Sequence, residues 1–163
     1  MGGAASRDLC PRNLTPRRAP AGRRPPPNLV MEKRAINPWQ WQAASAYQQA
    51  VEVTQPSATL YCAGQAAIDA DGHPSTADMR AQLQQVLGNV EQVVTTAGYQ
   101  CRDIVHLRLY TTDTAALFGE GGCFDMFADW VTRHGIKAAA TMVEVNFLAF
   151  EGLKVEVEAT AVR

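Results

Sequence analysis

Long apolar runs are missing from this chain. No stretch approaches the roughly 20 consecutive apolar residues that a bilayer span requires, and residues 1–30 lack the apolar core of a secretory signal. A membrane span is excluded, and a membrane partner with it. Cysteine and histidine are few: Cys10, Cys62, Cys101 and Cys123 stand far apart without a CxxC pair, beside only His73, His106 and His134. That pattern builds neither a zinc cage nor a disulfide framework, and it suits a reducing compartment and hence a cytoplasmic location. No metal or cofactor is implied. Internal repeats are absent too, and 12 Gly with 9 Pro in 163 residues are far from a collagen or a mucin stalk. Basic charge is scarce where a nucleic-acid binder would need it. Residues 31–163 carry nine Lys or Arg against fifteen Asp or Glu, a net charge of −6. Duplex affinity rests largely on neutralised phosphates, so nucleic acid is not an expected partner.

What is present suits one globular domain: 47% of the residues are hydrophobic and 19% charged. A body of the size of residues 31–163 can bury roughly two-thirds of its unfolded surface without staples. Residues 1–30 differ, with six of the nine prolines and six arginines (Arg7, Arg12, Arg17, Arg18, Arg23, Arg24) against the single acid Asp8. Such a stretch has too little to bury to offset its ordering entropy and reads as disordered. An Arg-rich transit peptide, a basic interaction tail and translation upstream of a start at Met31 compete as explanations. The prolines oppose the amphipathic helix of a transit peptide, which puts the upstream start first.

Within residues 31–163, Gln48–Thr54 and Thr59–Gln65 read as strands joined by the turn signal Gln55-Pro56-Ser57, a first hairpin. Ser75 or Thr76 can cap a helix with Asp78 in its first turn. Met79, Leu83, Val86, Leu87, Val90, Val93, Val94 and Ala97 then recur at steps of three and four up to Gly98. Ile104–Thr111 alternates Val105, Leu107 and Leu109 with His106, Arg108 and Tyr110, the pattern of a half-buried strand. Phe124, Phe127 and Val131 mark a second helix stopped by Gly135. Thr141–Leu148 and Lys154–Val162 alternate on either side of residues 149–153, a second hairpin. The order ββαβαββ predicts an α+β layer: two helices on one face of a mostly antiparallel sheet, with the other face left to water or to another subunit.

The second hairpin would place Glu144 opposite Glu156 or Glu158 on the open face. Like charges there cost energy, so either one carboxyl keeps its proton or a cation joins the group, and Arg108 is the candidate. Other signals are weaker. Gly119-Glu120-Gly121-Gly122 lacks the strand and helix context of a dinucleotide fingerprint and reads as a mobile loop. Cys62 and Cys123 read as small buried hydrophobes, with no histidine at a telling spacing. Trp39, Trp41 and Tyr47 either line a pocket or pack at the domain edge.

Tyr47-Gln48-Gln49-Ala50-Val51, Ala63-Gly64-Gln65, Asp103-Ile104-Val105, Val143-Glu144-Val145 and the closing Lys154-Val155-Glu156-Val157-Glu158-Ala159-Thr160-Ala161-Val162 together resemble the RidA/YjgF family of enamine/imine deaminases, from Met31 to Arg163. The resemblance implies a chorismate-mutase-like fold and a homotrimer with ligand clefts between subunits. By position it puts the family's ligand-side tyrosine on Tyr47, its glycine on Gly64, its glutamate on Glu156 and a loop asparagine near Gly121. The family arginine that clamps a substrate carboxylate falls on Ala140, within Ala138-Ala139-Ala140-Thr141. The chain thus resembles a branch lacking that arginine, unless Arg108 enters the cleft from another strand. Two classes of function follow. One is a hydrolase acting on a reactive imine, enamine or carbonyl compound, with Glu156 activating water and backbone amides near Gly64 polarising the substrate. The other is a protein that binds such a metabolite without turning it over.

Overall fold

The computed structural model describes residues 30–42 and 45–163, so the expectation for the Arg/Pro-rich extension falls almost entirely outside the described residues. The described chain forms strands β1 (Glu32–Ile36), β2 (Ala50–Thr54), β3 (Thr59–Tyr61) and β4 (Gln65–Ala66), then helix α1 (Met79–Thr96) and strand β5 (Ile104–Thr111). Helices α2 (Thr114–Phe118) and α3 (Phe124–Arg133) and strands β6 (Ala139–Glu144) and β7 (Val155–Val162) complete it. No described helix is long and apolar enough to cross a membrane.

β7 is the central strand. Val155, Val157, Ala159 and Ala161 are buried on one side of it, while Glu156, Glu158 and Thr160 alternate with them on the other. It pairs antiparallel with β3, β4 and β5, and β6 adds to the far side of β5 to complete a five-stranded sheet. Against the apolar face lies α1, whose Leu83, Val86, Leu87, Val90 and Val94 follow the expected helical spacing and are fully buried or nearly so. Each such side chain contributes about 1.5–3 kcal/mol by leaving water. Gly98 (φ 79°) and Gly135 (φ 62°) take the left-handed conformation that stops α1 and α3.

The α+β class stands, and the pairing of its strands departs from the sequence reading. Neither hairpin forms. β2 pairs with β1 in a separate two-stranded sheet, whereas β3 is drawn to the C-terminus, where Ala58 and Arg163 exchange backbone hydrogen bonds of 2.8 and 3.0 Å. β6 runs parallel to β5, because the chain between them is occupied by helices, which carry it back to the starting end of the sheet. A third helix, α2, adds to the expected two; Asp113 caps it by accepting the Ala116 N–H at 2.8 Å. At α1 the cap is Asp78, which accepts from the Ala81 N–H at 2.9 Å. Ser75 lies ahead of the helix, where its Oγ accepts the Ala77 N–H at 3.2 Å.

One buried polar side chain joins these parts. Gln82, wholly inaccessible, donates to the carbonyls of Ser75 (3.3 Å), Ala77 (3.0 Å) and Gly152 (2.8 Å) and accepts from the Lys154 N–H at 2.8 Å. It ties α1 to the loop before it and to the approach to β7. Gln82→Leu leaves those backbone groups unpaired in the interior, a loss of about 3 kcal/mol. Thermal unfolding should show a fall in Tm of roughly 10 °C, against less than about 2 °C for the same change at exposed Gln84.

Candidate functional site

The alternation of β7 turns Glu156 and Glu158 to the face away from α1, where their cross-strand partners on β5 are Tyr110 and Arg108. Arg108 Nη1 donates to Glu158 Oε2 at 3.0 Å. Among the described residues, Glu156 has no such cation. Its carboxyl is held above the ordinary carboxylate range, first by burial and then by the negative charge of Glu158. The two glutamates thus differ: Glu158 gains a cation, and Glu156 is left beside a second acid. Gly64 is part of the same arrangement: a Cβ at this position would overlap the Glu156 carboxylate, so only glycine lets the side chain lie where it does. Tyr110 and the loop residues Phe147 and Leu148 share a cavity of about 450 Å³ with Glu156 and Glu158.

Glu144 is not a member of the group. β6 joins β5 and not β7, and its register sets Glu144 beside Thr111, on the helix side of the sheet. There it accepts the Thr114 N–H at 2.9 Å, and hydrogen bonding from Thr114, its hydroxyl first and then its N–H, holds the carboxyl below the usual range.

A second constellation forms at the outer edge of β6. Gln48 makes an isolated parallel bridge to Ala139, its N–H donating to the Ala138 carbonyl at 2.8 Å, and this sets Gln49 beside Ala140 with Tyr47 on the same face. Tyr47 and Ala140 line a cleft of about 690 Å³ with Gln49, Phe118, Phe124 and Met142. Among the described residues, no charged side chain lines it. Arg108 stands one residue out of step with Leu107, the partner of Ala140, and so projects from the opposite face of the sheet. Its guanidinium borders a smaller cavity of about 190 Å³ with Tyr61, Cys62 and His106. Within one protomer, therefore, Arg108 does not replace the missing clamp.

The remaining sequence candidates fall elsewhere. Gly121 (φ 75°) lies in the turn between α2 and α3 with open space around it and does not border the Tyr47 cleft. Its neighbours Gly119 and Gly122 are held in place by a 2.8 Å backbone bond. Trp39 and Trp41 stack on each other with ring centres 6.3 Å apart, exposed and away from the cleft that Tyr47 lines. Cys62 meets His106 in the small cavity, a juxtaposition of residues 44 positions apart that spacing does not reveal. Burial raises the Cys62 thiol pKa and lowers that of His106, so neither forms the ion pair of an activated nucleophile. Cys123 is buried with its pKa raised by the same cause. Gln49, Phe118 and Met142 escaped the sequence reading. For Gln49 and Met142 the signal was parity with Tyr47 and Ala140, which needs the strand partners to be known, and Phe118, on the short α2, gave none.

The raised pKa of Glu156, above a carboxyl's ordinary 4.5, means that the folded chain holds this proton more tightly than the unfolded chain does. The associated stability is present below the ordinary value and is lost as the pH rises through the raised one. Glu156→Gln should therefore raise Tm at about pH 7, and the gain should vanish near pH 4, where both states are protonated. Melting curves at the two pH values check this; a gain that persists at the lower pH would assign the effect to packing.

The family model Endoribonuclease L-PSP matches residues 39–163. YyfB of Yersinia pestis, a Rid-family protein of unknown function, is 33% identical, with 80% of this chain and 98% of that one covered and a TM-score of 0.70. The YjgF gene product of E. coli is 29% identical over 72% of this chain and 87% of its own, with a TM-score of 0.57. The crystal structure of E. coli TdcF with bound serine shares the fold at 24% identity, 79% and 91% coverage and a TM-score of 0.58. No curated protein matches at a significant level. A match over the whole strand and helix order from Trp39 to Arg163, together with a 33% identical relative, shows that this chain belongs to the Rid/YjgF family.

Proposed function

We propose that the chain binds a small reactive imine, enamine or carbonyl compound in clefts between the subunits of a homotrimer, and that Glu156 is the acid and base of any hydrolysis there. The observation that carries this reading is the division of the ligand-side residues into two groups. Tyr47 and Ala140 lie on the helix side at the β6 edge, and Gly64 and Glu156 on the opposite face by β7. A single ligand touches both groups only if the second comes from another copy. Tyr61, Val143 and Phe147, 79%, 43% and 81% exposed, give a second copy apolar surface to cover.

Hydrolysis of an imine adds water to the C=N carbon and releases ammonia, leaving a carbonyl. A carboxyl near its own pKa can protonate the nitrogen and, once ionised, accept the proton of the attacking water. Backbone amides near Gly64 polarise the reacting carbon. Ala140 sets the limit on substrate. A guanidinium–carboxylate contact is worth roughly 1.5–3 kcal/mol and also orients the substrate, and alanine supplies neither.

Light scattering should give about three times the 17.7 kDa chain mass; a monomer at micromolar concentration would remove the shared cleft. With 2-iminobutanoate generated in place by an amino-acid dehydratase, the wild type should be within about tenfold of buffer, and Ala140→Arg should raise the rate by about a hundredfold. Glu156→Gln in that background should abolish the gain. A fast wild type slowed by Arg108→Ala would overturn the assignment, and a slow wild type unmoved by Ala140→Arg would make the cleft one that binds without turnover.

A further inference from the structure

Arg108 projects from the face of the sheet opposite to Ala140, and what surrounds it there gives it a different role from that of a clamp. Arg108 on β5 and Glu156 and Glu158 on β7 share the open face, with Arg108 directly across from Glu158. All three belong to one protomer and meet within it, so their mutual arrangement does not depend on what a second copy adds to the cleft.

Glu158 stands between the other two. On its β5 side Arg108 Nη1 donates to Glu158 Oε2 at 3.0 Å. On its β4 side lies Gly64: Gln65 is the register partner of Val157, and Gly64 is one residue further along, towards the level of Glu158. The Glu156 carboxylate occupies the space that a Gly64 Cβ would take, so the Glu156 side chain leans along β7 towards Glu158. Glu156 and Glu158 also border one cavity, where Tyr110 is the one other titratable group among the described residues. Ala66 on β4 and Val145, Phe147, Leu148 and Ala149 of the loop before β7 bring no charge to Glu156. Two carboxylates so placed repel, and the repulsion is relieved by a proton on one or a cation on the other. Burial and then the charge of Glu158 push the Glu156 carboxyl up, and Arg108 bears on the second of these causes.

Resting on the reading of Glu156 as acid and base, we infer that Glu158 and Arg108 are its positioning residues. The Glu158 carboxylate keeps a proton on Glu156, and Arg108, by holding Glu158 on the β5 side and offsetting its charge, limits how tightly that proton is kept. A group that both gives and takes a proton in one cycle works best when its hold is neither tight nor loose. The two neighbours of Glu156 act in opposite senses, and Arg108 acts through Glu158.

An NMR titration of the Glu156 carboxyl carbon tests this on the full chain without substrate, the signal being assigned by its loss in Glu156→Gln. Glu158→Gln should lower the titration midpoint of Glu156 by about half a pH unit or more, and Arg108→Gln should raise it by about as much. Arg108→Lys, which keeps the charge, should stay closer to the wild type than Arg108→Gln does. Added to Glu158→Gln, Arg108→Gln should have less than about half of its effect alone, because the residue it acts through is gone. The pair is partly exposed, so the fold survives these changes, and an unchanged Tm checks it. A midpoint unmoved by Glu158→Gln, one not raised by Arg108→Gln, or an Arg108 effect that persists in full without Glu158 would overturn the inference. A substrate clamp would leave the midpoint where it is in the absence of substrate, so the titration also separates the two roles of Arg108. The reading of Glu156 itself is decided by rate: if the midpoints move as stated but Glu156→Gln keeps the gain of Ala140→Arg, the acid–base role falls and the charge arrangement stands. If the midpoints stay put and that gain is lost, the role stands and the inference falls.

Discussion

β7 is hydrogen-bonded along both edges, and its two faces carry opposite chemistry. Val155, Val157, Ala159 and Ala161 commit one face to α1, and with that every even-numbered side chain from Glu156 to Thr160 is committed to the other. A slip of one residue would bury two carboxylates and expose four apolar side chains, so the register is fixed by several kcal/mol, on the order of the cost of burying unpaired charge. β5 inherits that register and passes it to β6. The placement of Arg108, Ala140 and Glu144 follows from it, including the fact that Arg108 and Ala140 point away from each other.

The charges of the open face settle in a way that shapes the site. Arg108 is opposite Glu158 and bonds to it, which leaves Glu156 beside a carboxylate and without a cation of its own. The gap at Gly64 accepts the Glu156 side chain at the place where any larger residue would collide with it. A glutamate kept partly dehydrated and close to a second acid is the arrangement that brings a carboxyl toward the pH where it can both give and take a proton.

Periodicity made the faces legible but not the partners. The spacing from Met79 to Val94, the alternation in β5 and β7 and the stops at Gly98 and Gly135 are local properties, and they survive in the structure. Which strand lies beside which depends on where the chain returns, and two alternating segments five residues apart look like a hairpin whether or not they pair. That ambiguity misplaced Glu144 and hid the parallel β5–β6 pair. α2 is too short to carry a period, and Gln82 sits in an apolar helical stripe as a polar exception whose partners, Gly152 and Lys154, are some 70 residues away. The site was legible only in part for the same reason. Glu156, Gly64, Tyr47 and Ala140 came from resemblance, whereas Gln49, Phe118 and the Cys62–His106 juxtaposition required the fold.

The bridge between Gln48 and Ala139 has a significance beyond placing Tyr47. β6 borders the sheet, and an uncovered border strand offers its backbone to any other extended chain. The short parallel bridge covers the first residues of that border with the segment that also forms one wall of the Tyr47–Ala140 cleft. Opening the wall of the cleft and baring the border to foreign chains are therefore one local event, governed by one opening free energy. Access to this cleft and resistance to aggregation are therefore set by the same segment, and a change that loosens residues 45–49 to open the first weakens the second.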